Sequence, residues 1–327
     1  MSATPTGSSP ATHAPGAHDV YLHSYLEPFR PWLERPDVSE ILVNRPGEVW
    51  IEQAGIMNMR CVSVPAVDDA LLQRLATQIA RVSHQAINRE HPLLAATLPG
   101  GERVQMISPP ATRRHWALAI RRHSCTDLAL DDFTFARAGA VSDENRQSFP
   151  QTLGGLREAL AARQTLLISG GTSSGKTTFL NALLKEIPNT ERIVTVEDTP
   201  EIRLGHPNSL GLVAVKGDEG EARVSTDDLL QACLRLRPDR IILGEVRGSE
   251  AITFLRAINT GHPGSFTTIH ANTPSGALEQ LALLVMQSGL GFGRADALAY
   301  IRSLIDVVVQ LGRVNGQRRI MAIQPVN

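Results

Sequence analysis

Hydrophobic and polar positions follow two different patterns in the two halves of the chain. Up to about residue 127, helical spacing alternates with short runs in which every second residue is apolar, the pattern of hairpin strands. From residue 152 onward, short apolar runs alternate with helical stretches, as a parallel sheet requires. We therefore predict an α/β protein in which a smaller mixed α/β domain precedes a larger domain with a parallel sheet.

The predicted elements of the first half are a helix over 20–33, hairpin strands over 41–44 and 48–52, a strand over 60–64, a helix over 67–86, hairpin strands over 94–98 and 103–108, and a strand over 116–121. Those of the second half are helices over 153–163, 176–186, 226–235 and 249–259, and strands over 165–169, 192–196, 241–244 and 265–269. Ligands of open α/β sheets gather at the carboxyl ends of the strands, so the residues that follow the second set of strands are candidates for chemistry.

Domain boundaries follow from length and composition. A chain of 327 residues is too long for one ordinary core and suits two domains. Residues 1–18 are rich in Ser, Thr, Pro, Ala and Gly, which predicts a disordered tail. We place the N-terminal domain at 19–127, a linker at 128–150, where the periodicity is lost, and the second domain at 151–327.

Composition excludes several classes of protein. Apolar residues make up 42% and charged residues 20%, with a net charge of −1, so no global basic field favours nucleic acid. The three cysteines are far apart, which fits a reducing cytosol better than a disulfide framework or a zinc knuckle. No apolar run approaches the roughly 18 residues of a membrane span, and the N-terminus lacks the pattern of a signal peptide. We expect a cytoplasmic protein that at most visits a membrane surface.

A phosphate loop directly follows the predicted strand at 165–169. The loop reads Gly170, Gly171, Thr172, Ser173, Ser174, Gly175, Lys176, Thr177 and Thr178. Glycines at these positions let successive backbone N–H groups form a nest around phosphate, at the N-terminus of the helix that follows. Lys176 is expected to reach the β- and γ-phosphates, Thr177 to ligate Mg²⁺, and Thr178 to donate to a phosphate oxygen. The motif predicts binding of ATP with Mg²⁺.

Two strand-end residues are candidates for the reaction itself. Glu245 follows a buried strand, so its carboxylate can orient or deprotonate the water that attacks the γ-phosphate. His270 follows the strand at 265–269 and could sense that phosphate by donating a hydrogen bond. Each has a plainer alternative: the glutamate could pair with a nearby arginine, and the histidine could be structural.

An acidic group ends the strand at 192–196. Gly244 occupies the position where phosphate-loop ATPases usually carry a metal-binding aspartate. Water or the carboxylates of Glu197, Asp198 and Glu201 must then complete the metal shell, and Glu197 is a second candidate for catalysis. The alternative is a solvated strand end without a metal.

Four motifs in one order carry a family resemblance. They are the phosphate loop, the acidic run 197–201, the stretch Leu-Arg-Pro-Asp-Arg-Ile-Ile-Leu-Gly-Glu-Val-Arg at 236–247, and Thr-Gly-His-Pro-Gly-Ser at 260–265 with His-Ala-Asn at 270–272. The chain from about residue 20 closely resembles the secretion ATPases of the VirB11 type, within the traffic ATPases of type IV secretion, type II secretion and type IV pili. Gly244 matches the pattern of this family, whereas Ser173 stands where many members carry glycine.

The resemblance implies a RecA-like ATPase domain behind a smaller N-terminal domain, and a ring of six identical subunits. In the family, arginines of the N-terminal domain reach the phosphates, and the matching positions are Arg103, Arg121 and Arg122. Guanidinium groups stabilise charge on the transferred phosphoryl group. Strand register decides which of Arg121 and Arg122 points inward, and pairing with a surface carboxylate is the alternative.

The function that the resemblance implies is ATP hydrolysis that powers substrate export or pilus assembly. The expected partners are inner-membrane components of such a machine, with peripheral membrane association. Two alternatives remain open: a RecA-type nucleic-acid motor, which shares the core fold, and the ATPase of a related pilus or type II secretion machine. The first is disfavoured by near-neutral charge and by few aromatic residues for base stacking, and we expect no specific nucleic-acid binding.

Overall fold

The computed structural model describes residues 17–53, 56, 58–122, 127–136, 152–215 and 223–326. The chain forms two compact units, of which the first ends at Arg122 and the second contains every described residue from Asp127 on. Most of the predicted disordered tail lies outside the described residues. Ala17 and His18, which that prediction includes, are instead the first residues of a helix.

The first unit is one antiparallel sheet covered by helices. Its elements are α1 (Ala17–Leu26), α2 (Arg30–Leu33), β1 (Val38–Val43), β2 (Glu48–Gln53), β3 (Arg60–Ser63), α3 (Asp69–Val82), β4 (Leu93–Thr97), β5 (Arg103–Ile107) and β6 (Ala117–Arg121). The strand order is β3-β2-β1-β6-β5-β4. Buried residues alternate with partly exposed ones along β2 and β6, so one face of the sheet carries the core and the other does not.

The predicted single helix over 20–33 is wrong in one respect, since two helices lie there. A 3₁₀ turn, Glu27–Phe29, separates α1 from α2. Pro28 lies in the 3₁₀ turn and Pro31 in α2, and each proline lacks the N–H of a regular helix and clashes with the preceding turn, which favours a break here. The break lets Phe29 and Trp32 both pack into the core of the first unit.

The second unit is built on a seven-stranded, mostly parallel sheet. Its elements are α4 (Leu153–Ala161), β7 (Leu166–Gly170), α5 (Lys176–Leu184), β8 (Ile193–Glu197), β9 (Ser209–Val213), α6 (Thr226–Cys233), β10 (Arg240–Leu243), α7 (Glu250–Asn259), β11 (Phe266–Ile269), α8 (Pro274–Gln287), α9 (Arg294–Arg302), β12 (Val307–Val314) and β13 (Gln317–Pro325). The order is β13-β12-β7-β11-β10-β8-β9, with only the β12–β13 pair antiparallel. Every residue of β7, β8, β10 and β11 is buried, as expected of central parallel strands with both faces covered.

The hairpin of β12 and β13 extends the sheet and was not among the predicted elements. Its turn is Asn315-Gly316, both with positive φ, the preferred sequence of a tight hairpin. β9, α8 and α9 were also not predicted.

The described part of the predicted linker packs onto the second unit. Leu130 and Phe133 are buried in its core, and the Phe133 ring meets Phe179 edge-on with centroids 4.9 Å apart. Phe135 pairs with Ile320 of β13. Burial of these apolar rings stabilises the packing of the described part on the second unit, and residues 137–150 lie outside the described residues.

A buried ion pair fixes the base of the second sheet. Arg240 is fully buried, and its guanidinium donates to both carboxylate oxygens of Glu191 at 2.7 and 3.0 Å and to the backbone carbonyls of Leu160 and Gly264. This guanidinium lowers the pKa of Glu191 below its usual value. The pair therefore stabilises the fold above the unfolded-state pKa of the glutamate, and that contribution is lost as the pH falls through the folded-state pKa.

Replacing Glu191 by Gln is expected to lower the free energy of unfolding by about 3–5 kcal/mol, because it leaves the buried Arg240 charge uncompensated. Denaturant unfolding of the full chain measures the loss. The matched control is Glu186→Gln, whose partner Arg157 is more exposed, and about 1 kcal/mol or less is expected there. Equal losses in the two variants would contradict the role given to the buried pair.

Candidate active site

The phosphate loop connects β7 to α5 and depends on glycine at its ends. A Cβ at Gly170 would lie 2.3 Å from the hydroxyl oxygen of Ser174, so no side chain fits there. Gly175 has φ of 93°, a left-handed conformation that favours glycine. Ser173 is also left-handed, with φ of 59°, a conformation that glycine adopts more readily than serine.

Lys176 begins α5 and is buried, with its ammonium turned back over the start of the loop. The ammonium donates to the carbonyls of Gly170 and Gly171 at 3.0 and 3.3 Å. It also lies 3.3 Å from Nδ1 of His270, at the end of the neighbouring strand β11. The lysine is therefore held at the place where the nest of backbone N–H groups would receive phosphate.

Glu245 lies at the same edge of the sheet and is connected to the loop through His270. The Nε2 atom of His270 is 2.7 Å from a carboxylate oxygen of Glu245. Arg247 also contacts this carboxylate, with its Nε donating over 2.8 Å. Burial alone would lower the pKa of Arg247, but the hydrogen bond and charge of Glu245, together with the charges of Asp198 and Glu201, outweigh burial and raise it. The structure thus brings Lys176, His270 and Glu245 together, and it contains the arginine pairing that was the plainer alternative.

The acidic run after β8 does not gather its three carboxylates into one cluster. Glu197 is buried and accepts from the backbone N–H groups of Glu201 and Ile202 at 2.8 and 2.7 Å. Asp198 accepts from the hydroxyl of Thr226 at 2.7 Å. Among the described residues, no three His, Cys, Asp or Glu side chains form a group that could hold a metal. Completion of a metal shell by water or by these three acids stays a prediction, in which Glu197 and Asp198 would act beside the hydrogen bonds that they already accept.

Two of the predicted metal-binding residues do meet. The hydroxyl of Thr177 donates to the carboxylate of Glu201 over 3.0 Å, beside the phosphate loop. These two oxygens are of the type that Mg²⁺ prefers, and a metal between them would have the phosphates within reach. Glycine at position 244 suits this arrangement, because a Cβ there would lie 3.3 Å from Cγ of Glu197. The missing side chain at 244 leaves room for Glu197 to hold the loop that carries Glu201.

Sequence reasoning missed one charged residue at the loop. Arg318 of β13 has its Nη1 atom 3.5 Å from the hydroxyl of Thr178 and its Cδ 2.8 Å from the place of a Cβ at Gly175. No sequence motif marks this residue, which lies far along the chain in a hairpin that was not predicted. Only the pairing of β12 with β7 brings it to the site.

The three candidate arginines of the first unit have different surroundings. Arg103 and Arg121 lie directly opposite each other on β5 and β6, and Arg121 donates to Glu40 on β1 at 2.9 Å. Arg122 lies just past the end of β6, where its guanidinium donates to main-chain carbonyls, including that of Arg35. The register thus places Arg121 on the same side of the sheet as Arg103. Arg122 is instead held by backbone oxygens.

A mostly parallel sheet with a phosphate loop, its lysine and a strand-end carboxylate defines a P-loop ATPase of RecA-like fold. The chain belongs to the family described as Type II/IV secretion system protein, whose model matches residues 25–320. It is 35% identical over 325 residues to the type IV secretion system protein VirB11 of Bartonella henselae, covering 91% of each chain. It is 40% identical over 322 residues to PtlH of Bordetella pertussis, covering 91% of this chain and 93% of PtlH.

The fold is shared more widely. The pilus retraction motor PilT with bound ADP superimposes with a TM-score of 0.61 at 20% identity, covering 92% of this chain and 83% of PilT. The predicted VirB11-type membership and the predicted α/β class with a RecA-like domain are confirmed. The protein is a secretion or pilus ATPase that hydrolyses ATP. In the described part of the chain, no helix is long and apolar enough to cross a membrane.

Proposed function

We propose that this protein is the hexameric ATPase that powers substrate export or pilus assembly by a type IV secretion system. Support comes from relatives named as type IV secretion proteins over nine-tenths of the chain. The observation that carries the proposal is the continuous contact from Lys176 through His270 to Glu245, which joins the phosphate loop to a strand-end carboxylate. Its partners would be inner-membrane components of the machine, with the ATPase at the cytoplasmic face of that membrane.

The roles of the residues follow from their positions. Lys176 would exchange its loop carbonyls for the β- and γ-phosphates, and the loop from Gly170 to Thr178 would surround them with N–H donors. Glu245 would accept the proton of the attacking water, while His270 would connect the state of the γ-phosphate to that carboxylate. Glu197 would act by positioning the segment that carries Glu201.

Thr177 and Glu201 fit the Mg²⁺ that ATP brings, because their two oxygens already meet beside the loop. When bound, the ion supplies positive charge that offsets the charge of the phosphates. Asp198 is the weaker candidate for holding the ion, because one of its carboxylate oxygens accepts from the hydroxyl of Thr226 and the other lies 3.8 Å from Nη1 of Arg247.

The first unit would contribute Arg103 and Arg121. They lie directly opposite each other on β5 and β6, and like charges in that position repel each other. A phosphate group would reverse the sign of this interaction. We assign the contact with nucleotide to these two arginines, and to Arg122 a structural role.

The test is nucleotide-dependent assembly of the full chain. Adding a non-hydrolysable ATP analogue is expected to shift sedimentation toward a particle of six subunits, because a ligand that binds one assembly state better increases its population. The Arg103→Gln, Arg121→Gln double variant should lose this shift and most of its ATPase activity.

Arg122→Gln is the matched control, since it removes the same charge one position away. It should keep the response to the analogue while lowering thermal stability through lost bonds to main-chain carbonyls. A chain that sediments as a monomer with and without analogue, and hydrolyses ATP at the same rate per subunit at every concentration, would contradict the ring.

A further inference from the structure

The hairpin of β12 and β13 projects past the edge of the sheet at the phosphate loop. The last residue of β12 that pairs with β7 is Leu311, opposite Gly170. Beyond this pair the two hairpin strands continue to the turn at Asn315-Gly316, and Arg318 lies in this overhang. The strand order thus brings a half-buried arginine to the phosphate loop. This arginine lies on β13, the strand of the sheet that is farthest from the acidic run.

Contacts fix the position of Arg318 along the loop. Its aliphatic stem occupies the space that a side chain at Gly175 would need, and its guanidinium reaches the hydroxyl of Thr178. Lys176, by contrast, has its ammonium at Gly170, Gly171 and His270. The two cations therefore lie at opposite ends of the loop, and only the lysine end is connected to Glu245.

The electrostatics of this arrangement indicate an anion. A guanidinium beside the first turn of α5 lies at the positive end of the helix dipole, where a cation is unfavourable. A phosphate group between the guanidinium and the N–H groups of the loop would accept from both, which is the interaction that a guanidinium and a helix N-terminus each favour.

We infer that Arg318 is a phosphate-binding residue of the nucleotide site, which holds a phosphate other than the terminal one. This inference rests on the nucleotide site proposed above. Because the lysine end of the loop faces Glu245, the arginine end serves the part of the nucleotide that is common to ATP and ADP. Arg318 then determines affinity for both nucleotides and leaves the chemical step to Glu245.

The test uses Arg318→Met, which keeps the stem over Gly175 and removes the charge. Calorimetric titration of the full-length protein should show affinity for ADP weakened by about 10- to 100-fold, the effect of losing a hydrogen bond to a charged group. The non-hydrolysable ATP analogue should lose affinity by the same factor, and kcat at saturating ATP should change little while KM rises. Arg318→Lys should recover part of the affinity.

Arg319→Met is the matched control. Arg319 is the next residue, so it points to the other face of β13, where it contacts the hydroxyl of Thr134. The affinity of the Arg319→Met protein for ADP should stay within about twofold of that of the unchanged protein. An Arg318→Met protein that binds ADP as tightly as the unchanged protein would overturn the inference, as would a loss confined to the ATP analogue. Neither result touches the proposed site itself, which fails only if the unchanged protein does not bind ADP.

Discussion

Replacing Lys176 by Ala is expected to reduce ATP hydrolysis by about 10³-fold or more, the largest effect of any single substitution in the chain. The side chain is buried, and its ammonium already lies against the first two glycines of the loop and His270. Without it, the β- and γ-phosphates lose the cation that stabilises charge in the transition state. Steady-state phosphate release by the full-length protein measures the loss.

The fold should survive this substitution, because the lysine makes polar contacts with the loop and does not belong to the apolar core. Circular dichroism and the melting temperature check this point. Lys185→Ala is the matched control: this lysine lies just after α5, where it pairs with Asp127 at 2.7 Å. Activity should be kept there. An unchanged ATPase rate in Lys176→Ala would contradict the assignment of the phosphate loop.

The sequence predicted the central part of the second sheet well because its signals are local. β7, β8, β10 and β11 are short apolar runs buried on both faces, and each ends at, or directly before, a polar residue or glycine. The helix predicted over 226–235 does begin at Thr226, where Ser225 and Asp228 form both hydrogen bonds of a capping box. Convergence of Lys176, Glu245 and His270 follows from this topology alone.

The parts that were not predicted depend on contacts between distant segments. Residues 130–133 lack a periodic pattern, yet Leu130 and Phe133 enter the core of the second unit. Arg318 reaches the phosphate loop only through pairing of strands far apart in the sequence, so no local pattern could indicate its role. The acidic run shows a different limit: its position at a strand end predicted metal binding, but not that one carboxylate oxygen of Glu197 accepts from the backbone N–H groups of Glu201 and Ile202.

Two glutamates, Glu197 and Glu245, lie at this site, and the main chemical question is which of them accepts the proton of the attacking water. Glu197 ends β8 and Glu245 follows β10, and these strands are neighbours in the sheet. The side chain of Glu197 is directed at the segment carrying Glu201, whereas the side chain of Glu245 contacts His270 and Arg247. We therefore propose the proton-accepting role for Glu245 and a positioning role for Glu197.

Replacing Glu245 by Gln is expected to lower turnover by about 10²-fold or more while ATP still binds. Glutamine keeps the size of the side chain and can still contact His270 and Arg247, but it has no basicity to accept a proton from water. Single-turnover hydrolysis and titration with ATP separate the two effects. The protein should then remain in its nucleotide-bound state, with KM changed far less than kcat.

Glu197→Gln is the matched control, because it is the same change on the neighbouring strand. Its amide oxygen can still accept from the N–H groups of Glu201 and Ile202, so the segment keeps its place and turnover should fall by less than about tenfold. Since both substitutions remove one negative charge from the same sheet edge, a general electrostatic effect would slow both variants alike. The opposite order, an inactive Glu197→Gln beside an active Glu245→Gln, would transfer the catalytic carboxylate to the acidic run.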